Sequence, residues 1–285
     1  MLVTGKEILD HAHNNNYAVG AFNVNNMEQV QAIIQAAEET QSPVIMQASQ
    51  GALKYAGVEY IAAMAKTAAS KASVPVALHL DHGTDFKQIV MCIRNGFTSV
   101  MIDASKMPIE GNIETTKKIV EIAHAAGVTV EAEIGKIGGT EDDITVDERD
   151  ATFTDPNEAE TLVNETGLDY LAIAVGTAHG VYKGEPKLDF ERIRVIKERL
   201  NMPLVLHGSS GVPEESIKKA VANGINKINI DTDIRMAFNK AVREFVDNNP
   251  DAYDPRKIVG PARDAMREVI KEKMIMFGSA GNAWK

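Results

Sequence analysis

One cysteine, Cys92, stands in 285 residues, so no disulfide can close within the chain and no thiolate-rich zinc finger can form. Basic residues are outnumbered, 30 against 40 acidic, for a net charge of −10. A nucleic-acid or anionic-membrane surface needs the opposite balance. No apolar run approaches the roughly 20 residues that span a bilayer. The opening MLVTGKEILDHAHNNN also lacks the basic-then-apolar order of a signal peptide. These exclusions leave a globular protein expected in the cytoplasm, 44% hydrophobic and 25% charged, long enough for one sizeable core.

Short apolar runs recur along the chain: YAVGAFNV from Tyr17, PVIMQAS from Pro43, PVALHLD from Pro75, SVMIDAS from Ser99, TVEAEIG from Thr129, YLAIAVG from Tyr170, PLVLHGS from Pro203 and KINIDT from Lys227. They are rich in Val, Ile, Leu and Ala with little polar alternation, the pattern of strands covered on both faces. Between them lie segments such as MEQVQAIIQAAEET and TTKKIVEIAHAAG with apolar residues at helical spacing. Eight such units predict a single (β/α)8 barrel over residues 1–285, with an additional C-terminal helix from Pro261 to Phe277. An open doubly wound sheet has no preferred strand number, so the count favours the barrel. Two connections, Ile137 to Pro156 and Ala178 to Pro186, are long and polar and follow strands. On that face loops of this length read as lids.

Three of the seven histidines precede glycine: His82-Gly83, His179-Gly180 and His207-Gly208. With 21 glycines in the chain, chance supplies about 0.5 such pairs. All three fall at the expected C-terminal ends of strands three, six and seven. Converging imidazoles from three strands fill three of the four positions of a zinc ion and leave one open for a substrate oxygen. A lone histidine at a strand end is commonly just a satisfied polar group; three at equivalent positions favour a metal site. His11, His13 and His124 fall on predicted helices, and His79 lies inside strand three as a core or supporting residue.

Acids gather on the same rim. Asp81 precedes His82, Asp103 ends strand four, and Glu131 and Glu133 share one face of strand five. A carboxylate inside a barrel is costly unless paired or metal-bound, which makes an inward reading functional. Strand alternation makes Asp81 and His82 diverge, so both reach one site only if the chain leaves strand geometry, expected at Gly83. Beyond strand seven, Gly208-Ser209-Ser210-Gly211 forms a glycine–serine loop, and Asn229-Ile230-Asp231-Thr232 closes strand eight. Barrels commonly bind phosphate through these two loops, so a phosphorylated small molecule is the expected partner.

The pieces LHLDHG, VEAEIGKIGGTEDD, AVGTAHGVYKGEP, LVLHGSSG and KINIDTDIR resemble the class II, metal-dependent fructose-1,6-bisphosphate aldolases, and the similarity runs from Tyr17 to YDPRKIVGPAR at Tyr253. The resemblance implies His82, His179 and His207 as ligands of a catalytic zinc, with Asp103 and Glu133 at a second or alternative divalent-metal position. It implies Asp81 as the acid handling the C4 hydroxyl proton, and Glu141 as the group exchanging a proton at the dihydroxyacetone-phosphate carbon. Gly180, Gly208, Ser209, Ser210 and the segment Asn229, Ile230, Asp231, Thr232 match the site of that substrate half, and Ser49 matches a contact to the aldehyde half. Arg235 is expected on the second phosphate. A monovalent cation beside the phosphate and a homo-oligomer, dimer or tetramer, are also implied.

The alternatives are a tagatose-bisphosphate or other ketose-bisphosphate aldolase of the same chemistry, a barrel metallohydrolase, and a metal-binding scaffold without turnover. The metallohydrolase typically pairs two histidines early in the barrel, which strand one lacks. The scaffold leaves the phosphate loops and the acidic lid unexplained. A Schiff-base lysine needs an amine inside the barrel. Lys227 is expected at the far start of strand eight, and Lys136 and Lys183 in loops, so no candidate is evident.

Overall fold

The computed structural model describes residues 1–141, 144–146, 152–182 and 184–284; for 140, 141 and 144–146 only the backbone is described. The chain opens with α1 (Gly5–Asn14), β1 (Val19–Asn23), α2 (Met27–Thr40), β2 (Val44–Ser49), α3 (Gln50–Ala56), α4 (Val58–Lys71), β3 (Val76–Gly83) and α5 (Phe86–Arg94). It continues through β4 (Ser99–Ile102), α6 (Ile109–Ala125), β5 (Thr129–Ile134), β6 (Gly138–Glu141), β7 (Ile144–Val146), α7 (Pro156–Thr166), β8 (Tyr170–Ile173) and β9 (Ala178–His179). The last elements are α8 (Phe190–Leu200), β10 (Leu204–Leu206), α9 (Glu214–Ala222), β11 (Ile225–Ile230), α10 (Thr232–Asn248) and α11 (Pro255–Met276).

Eight parallel strands close into a barrel in the order β1-β11-β10-β8-β5-β4-β3-β2, the (β/α)8 architecture expected from the count of apolar runs. Alternation along each strand explains why the runs show so little polar spacing. One set of side chains, such as Phe22, Met46, Leu78, Val100 and Ile230, packs outward under the helices. The opposite set, including Ala21, Ile45, Ala77, Ala172 and Val205, fills the lower barrel interior. Helix α1 plugs that lower end. Thr4 and Glu7 form a capping box that starts it, and Ile8, Leu9 and Ala12 are buried in the interior cluster. Each large apolar side chain buried this way contributes roughly 1.5–3 kcal/mol.

Three boundaries depart from expectation. The C-terminal helix begins at Pro255, six residues before Pro261, because Asp254 accepts from Arg256 N–H as an N-cap and Pro255 occupies the first turn. Strand β11 begins at Ile225, which places Lys227 well inside the barrel with no exposed surface. The long fifth connection carries strands of its own, since β6 and β7 pair antiparallel and β6 pairs with β9, making a three-stranded sheet. Among the described residues no helix is long and apolar enough to cross a membrane.

Candidate active site

The C-terminal ends of the strands present an unusually polar interior. Asn23, Gln47, Asp81, Glu131, Glu133, His207 and Asn229 are all buried there. Strand register accounts for their meeting: Asn23 lies level with Gln47, and Ser49 with Asp81. Asp81 is completely buried, yet three carboxamides solvate it. Gln47 Nε2 donates to its Oδ2 at 2.9 Å, Asn23 Nδ2 to the same oxygen at 3.3 Å, and Asn229 Nδ2 to Oδ1 at 3.1 Å.

His82 reaches the same site by breaking the strand. Its φ is +49, and the pairing of β3 with β4 shifts register between Leu80 and Gly83. The departure expected at Gly83 therefore falls one residue earlier, on the histidine itself, turning two adjacent side chains toward one cavity. Gly83 serves packing instead, since a Cβ there would stand 2.5 Å from the Met101 carbonyl oxygen.

His179 is not on a barrel strand. β8 ends at Ile173, and His179 sits six residues further on, in β9. The hairpin holds it there: Gly139, at φ +100, lies level with His179 in the β6–β9 pair and leaves no room for a Cβ against its backbone. Tyr182 adds a brace. Its hydroxyl accepts from Ala178 N–H at 2.7 Å and donates to the Gly208 carbonyl at 2.7 Å. His207 directly follows β10.

Ligand nitrogens of His82, His179 and His207 lie within 4.8 Å of one another. The supporting hydrogen bonds fix which nitrogens face inward. His82 Nδ1–H donates to Asp103 Oδ2 at 3.2 Å, and His207 Nε2–H to Glu131 Oε1 at 2.7 Å. The remaining nitrogens, His82 Nε2 and His207 Nδ1, then point lone pairs at each other across 2.9 Å. Two acceptors at that distance suit a shared cation. Tetrahedral zinc–nitrogen geometry separates its ligands by about 3.3 Å, so the rings need only open slightly. Burial, foremost, pulls the His207 pKa below its ordinary value and favours the neutral imidazole that binds metal.

A second group, His82, Asp103 and Glu133, also lies within 4.8 Å. Burial would raise the Asp103 pKa, but hydrogen bonds from His82 and Ser105 bring it below the usual range. Glu133 is pushed well above its ordinary value, first by burial and then by the Asp103 charge. Its Oε2 is buried with no hydrogen-bond partner among the described residues. A bound cation would reverse both costs, so the donor set fits a divalent metal.

Beside this centre the β10 and β11 loops meet. Gly208 has φ +60, and a Cβ on it would stand 2.5 Å from the Ala178 carbonyl oxygen. Gly180 is also left-handed, at φ +88. Ser209 Oγ donates to Leu206 O, and Ser210 Oγ accepts from Asp233 N–H at 3.3 Å, linking the two loops. Thr232 opens α10. The Ile230 side chain packs into the outer core, away from the cavity, so only its backbone can face a ligand. Arg235 pairs with Asp231 at 2.7 Å across one helical turn. Ser49 caps α3, accepting from Ala52 N–H. Glu141 ends β6, and its side chain lies outside the described residues.

Two residues of this site escape a reading by motif. Asn23 and Gln47 are ordinary amides in sequence; only their inward parity at strand ends, matching Asp81, would have marked them. Glu131 is expected on the rim with Glu133, but it sits one step lower, between His207 and Lys227, outside both groups that could hold a metal ion.

Residues 3–282 match the family model for fructose-bisphosphate aldolase class-II. The chain is 50% identical over 306 residues to a fructose-bisphosphate aldolase of Thermus caldophilus, covering 99% of this chain and all of that one. It is equally identical over 285 residues to that of Geobacillus stearothermophilus, with 99% of each covered. Among solved structures, the YdjI aldolase of Escherichia coli superposes with a TM-score of 0.88 at 36% identity over the whole of both chains. The chain belongs to the class-II fructose-bisphosphate aldolase family.

Proposed function

We propose that this barrel reversibly cleaves fructose 1,6-bisphosphate to dihydroxyacetone phosphate and glyceraldehyde 3-phosphate, with zinc held by His82, His179 and His207. The observation that carries the reading is the buried Asp81 carboxylate beside three converging imidazoles. Zinc bound there supplies an electrophile at the substrate ketone.

Asp81 takes the proton of the C4 hydroxyl, and the C4–O electrons form the aldehyde carbonyl as the C3–C4 bond breaks. The released pair delocalises from C3 toward the ketone oxygen, and Glu141 returns a proton to C3 to give dihydroxyacetone phosphate. Asn23, Gln47 and Asn229 hold Asp81 in place through neutral donors, so it stays a competent base. Gln47 Oε1 and Asn229 Oδ1 are buried with no hydrogen-bond partner among the described residues, and these oxygens suit the hydroxyls of a sugar chain. Gly180, the Gly208–Ser210 loop and the Asn229–Thr232 segment cradle one phosphate through backbone N–H groups and hydroxyls, and Ser49 meets the aldehyde half. Arg235 holds the second phosphate once it turns from Asp231. His82, Asp103 and Glu133 would hold a divalent cation at an alternative position, since the single lone pair of His82 cannot serve both groups at once, and the same reading includes a monovalent cation beside the phosphate. The same reading includes a homo-oligomer, supported by the exposed apolar Met236, Val246 and Tyr253 on and after α10.

A coupled cleavage assay with fructose and tagatose bisphosphates, with and without chelator, tests the reading. Chelation should abolish turnover and zinc restore it, with fructose bisphosphate preferred and Arg235→Ala weakening that preference. Equal kcat/KM for both sugars would broaden the assignment to ketose bisphosphates; full activity in metal-free protein would overturn it.

A further inference from the structure

Below the imidazole cluster, the barrel holds an ion pair that the proposed chemistry does not use. Lys227 Nζ stands 2.7 Å from Glu131 Oε2, and neither side chain has any exposed surface. The other carboxylate oxygen, Glu131 Oε1, accepts from His207 Nε2–H at 2.7 Å. His79 Nε2 approaches Oε2 at 3.4 Å. Behind it, His79 Nδ1 bonds Ser99 Oγ at 2.6 Å, and Ser99 bonds the Tyr170 hydroxyl. The four anchors come from four strands, β11, β5, β3 and β4, with Tyr170 from β8 closing the set.

A buried ion pair of this kind is poor value for stability alone, because desolvation of both charges offsets their attraction. Its geometry points elsewhere. A carboxylate can accept only, so the nitrogen facing Glu131 must carry the hydrogen, and the opposite nitrogen, Nδ1, must present its lone pair to the cluster. The Glu131 carboxylate can hold that position only while both oxygens are anchored, and Lys227 anchors the second.

We propose that Lys227 is a positioning residue that acts through Glu131 to lock the ring and tautomer of His207, and thereby sets the divalent-cation affinity of the site. The proposal rests on the metal reading above. It is tested in the absence of substrate, by competition with a chromophoric chelator for zinc and by 15N histidine shifts of the metal-free protein.

Wild type should bind zinc and show one fixed Nε2–H tautomer for His207. Lys227→Met should weaken zinc binding ~10–100-fold, the usual cost of losing support behind a ligand, and move the His207 nitrogen shifts toward tautomer averaging. The double variant Glu131→Gln/Lys227→Met leaves no buried charge unmatched, and it carries the same test if the single variant unfolds. Folded variants with wild-type zinc affinity and an unchanged His207 signature would overturn the proposal while leaving the metal reading intact. Failure of the wild type itself to take up zinc, cobalt or another divalent cation would overturn the metal reading and this proposal with it.

Discussion

Asp81 shows how far a single side chain depends on its neighbours' chemical type. Three amide donors keep a buried carboxylate in place without placing a cation on it, so it remains available to accept a proton. Asp81→Ala should therefore lower cleavage ~10²–10⁴-fold, the span of a general base, while zinc content measured on the same protein stays stoichiometric. Parallel loss of zinc would move Asp81 into the ligand set. The buried imidazoles make a separate prediction. Burial, and next the Lys227 charge, hold the His79 pKa well below its ordinary 6.5, and burial lowers that of His207 as well. A folded pKa below the unfolded one means that the unfolded chain binds more protons as pH falls through 6.5. Both groups thus subtract stability below that pH and leave it untouched above. Metal-free protein should lose Tm between about pH 7 and 5.5, and His79→Gln should flatten that slope; an identical slope would remove His79 from the account.

At the scale of elements, the barrel strands were legible because each is a continuous apolar run flanked by helical periodicity. The path of the sixth unit was not. The sequence around AVGTAHG reads as a strand running into its histidine, but β8 stops at Ile173 and His179 belongs to the small β7-β6-β9 sheet. Pairing between segments some 40 residues apart leaves no local pattern to read. Gly139 is its weak point, with a left-handed φ and a Cβ direction blocked by the His179 backbone. Gly139→Ala should separate β6 from β9, lower zinc affinity at least ~10-fold by chelator competition, and leave the barrel's far-UV spectrum and main melting transition near wild type. Unaltered zinc binding would show that β9 holds His179 without the hairpin.

At the scale of the whole molecule, closure of the barrel brings an amine to its centre. Lys227 had been expected at the distant start of the last strand, yet β11 begins two residues earlier and turns it inward. Position alone would now admit a Schiff-base mechanism. The surroundings argue against it, since Lys227 is fully buried beneath the histidines and its Nζ is bound to Glu131 at 2.7 Å. Borohydride added with substrate should therefore leave activity intact after removal of the reagent, and no covalent adduct should appear on Lys227 by mass spectrometry. An adduct there would require rethinking the role of the imidazole cluster.

The sequence by itself determined the alternation of strands and helices, the barrel as their natural closure, and the rim on which His82, His207, Asp81 and Glu133 would gather. It did so because period, parity and strand-end position are local properties of the chain. Only the tertiary structure decided how those residues engage one another: the left-handed turn at His82, the delivery of His179 by a separate sheet, and the amides of Asn23 and Gln47 around Asp81. The same holds for Lys227 and Glu131 under His207. These depend on register and closure between strands distant in sequence, and a shift of one residue there turns every inward side chain out.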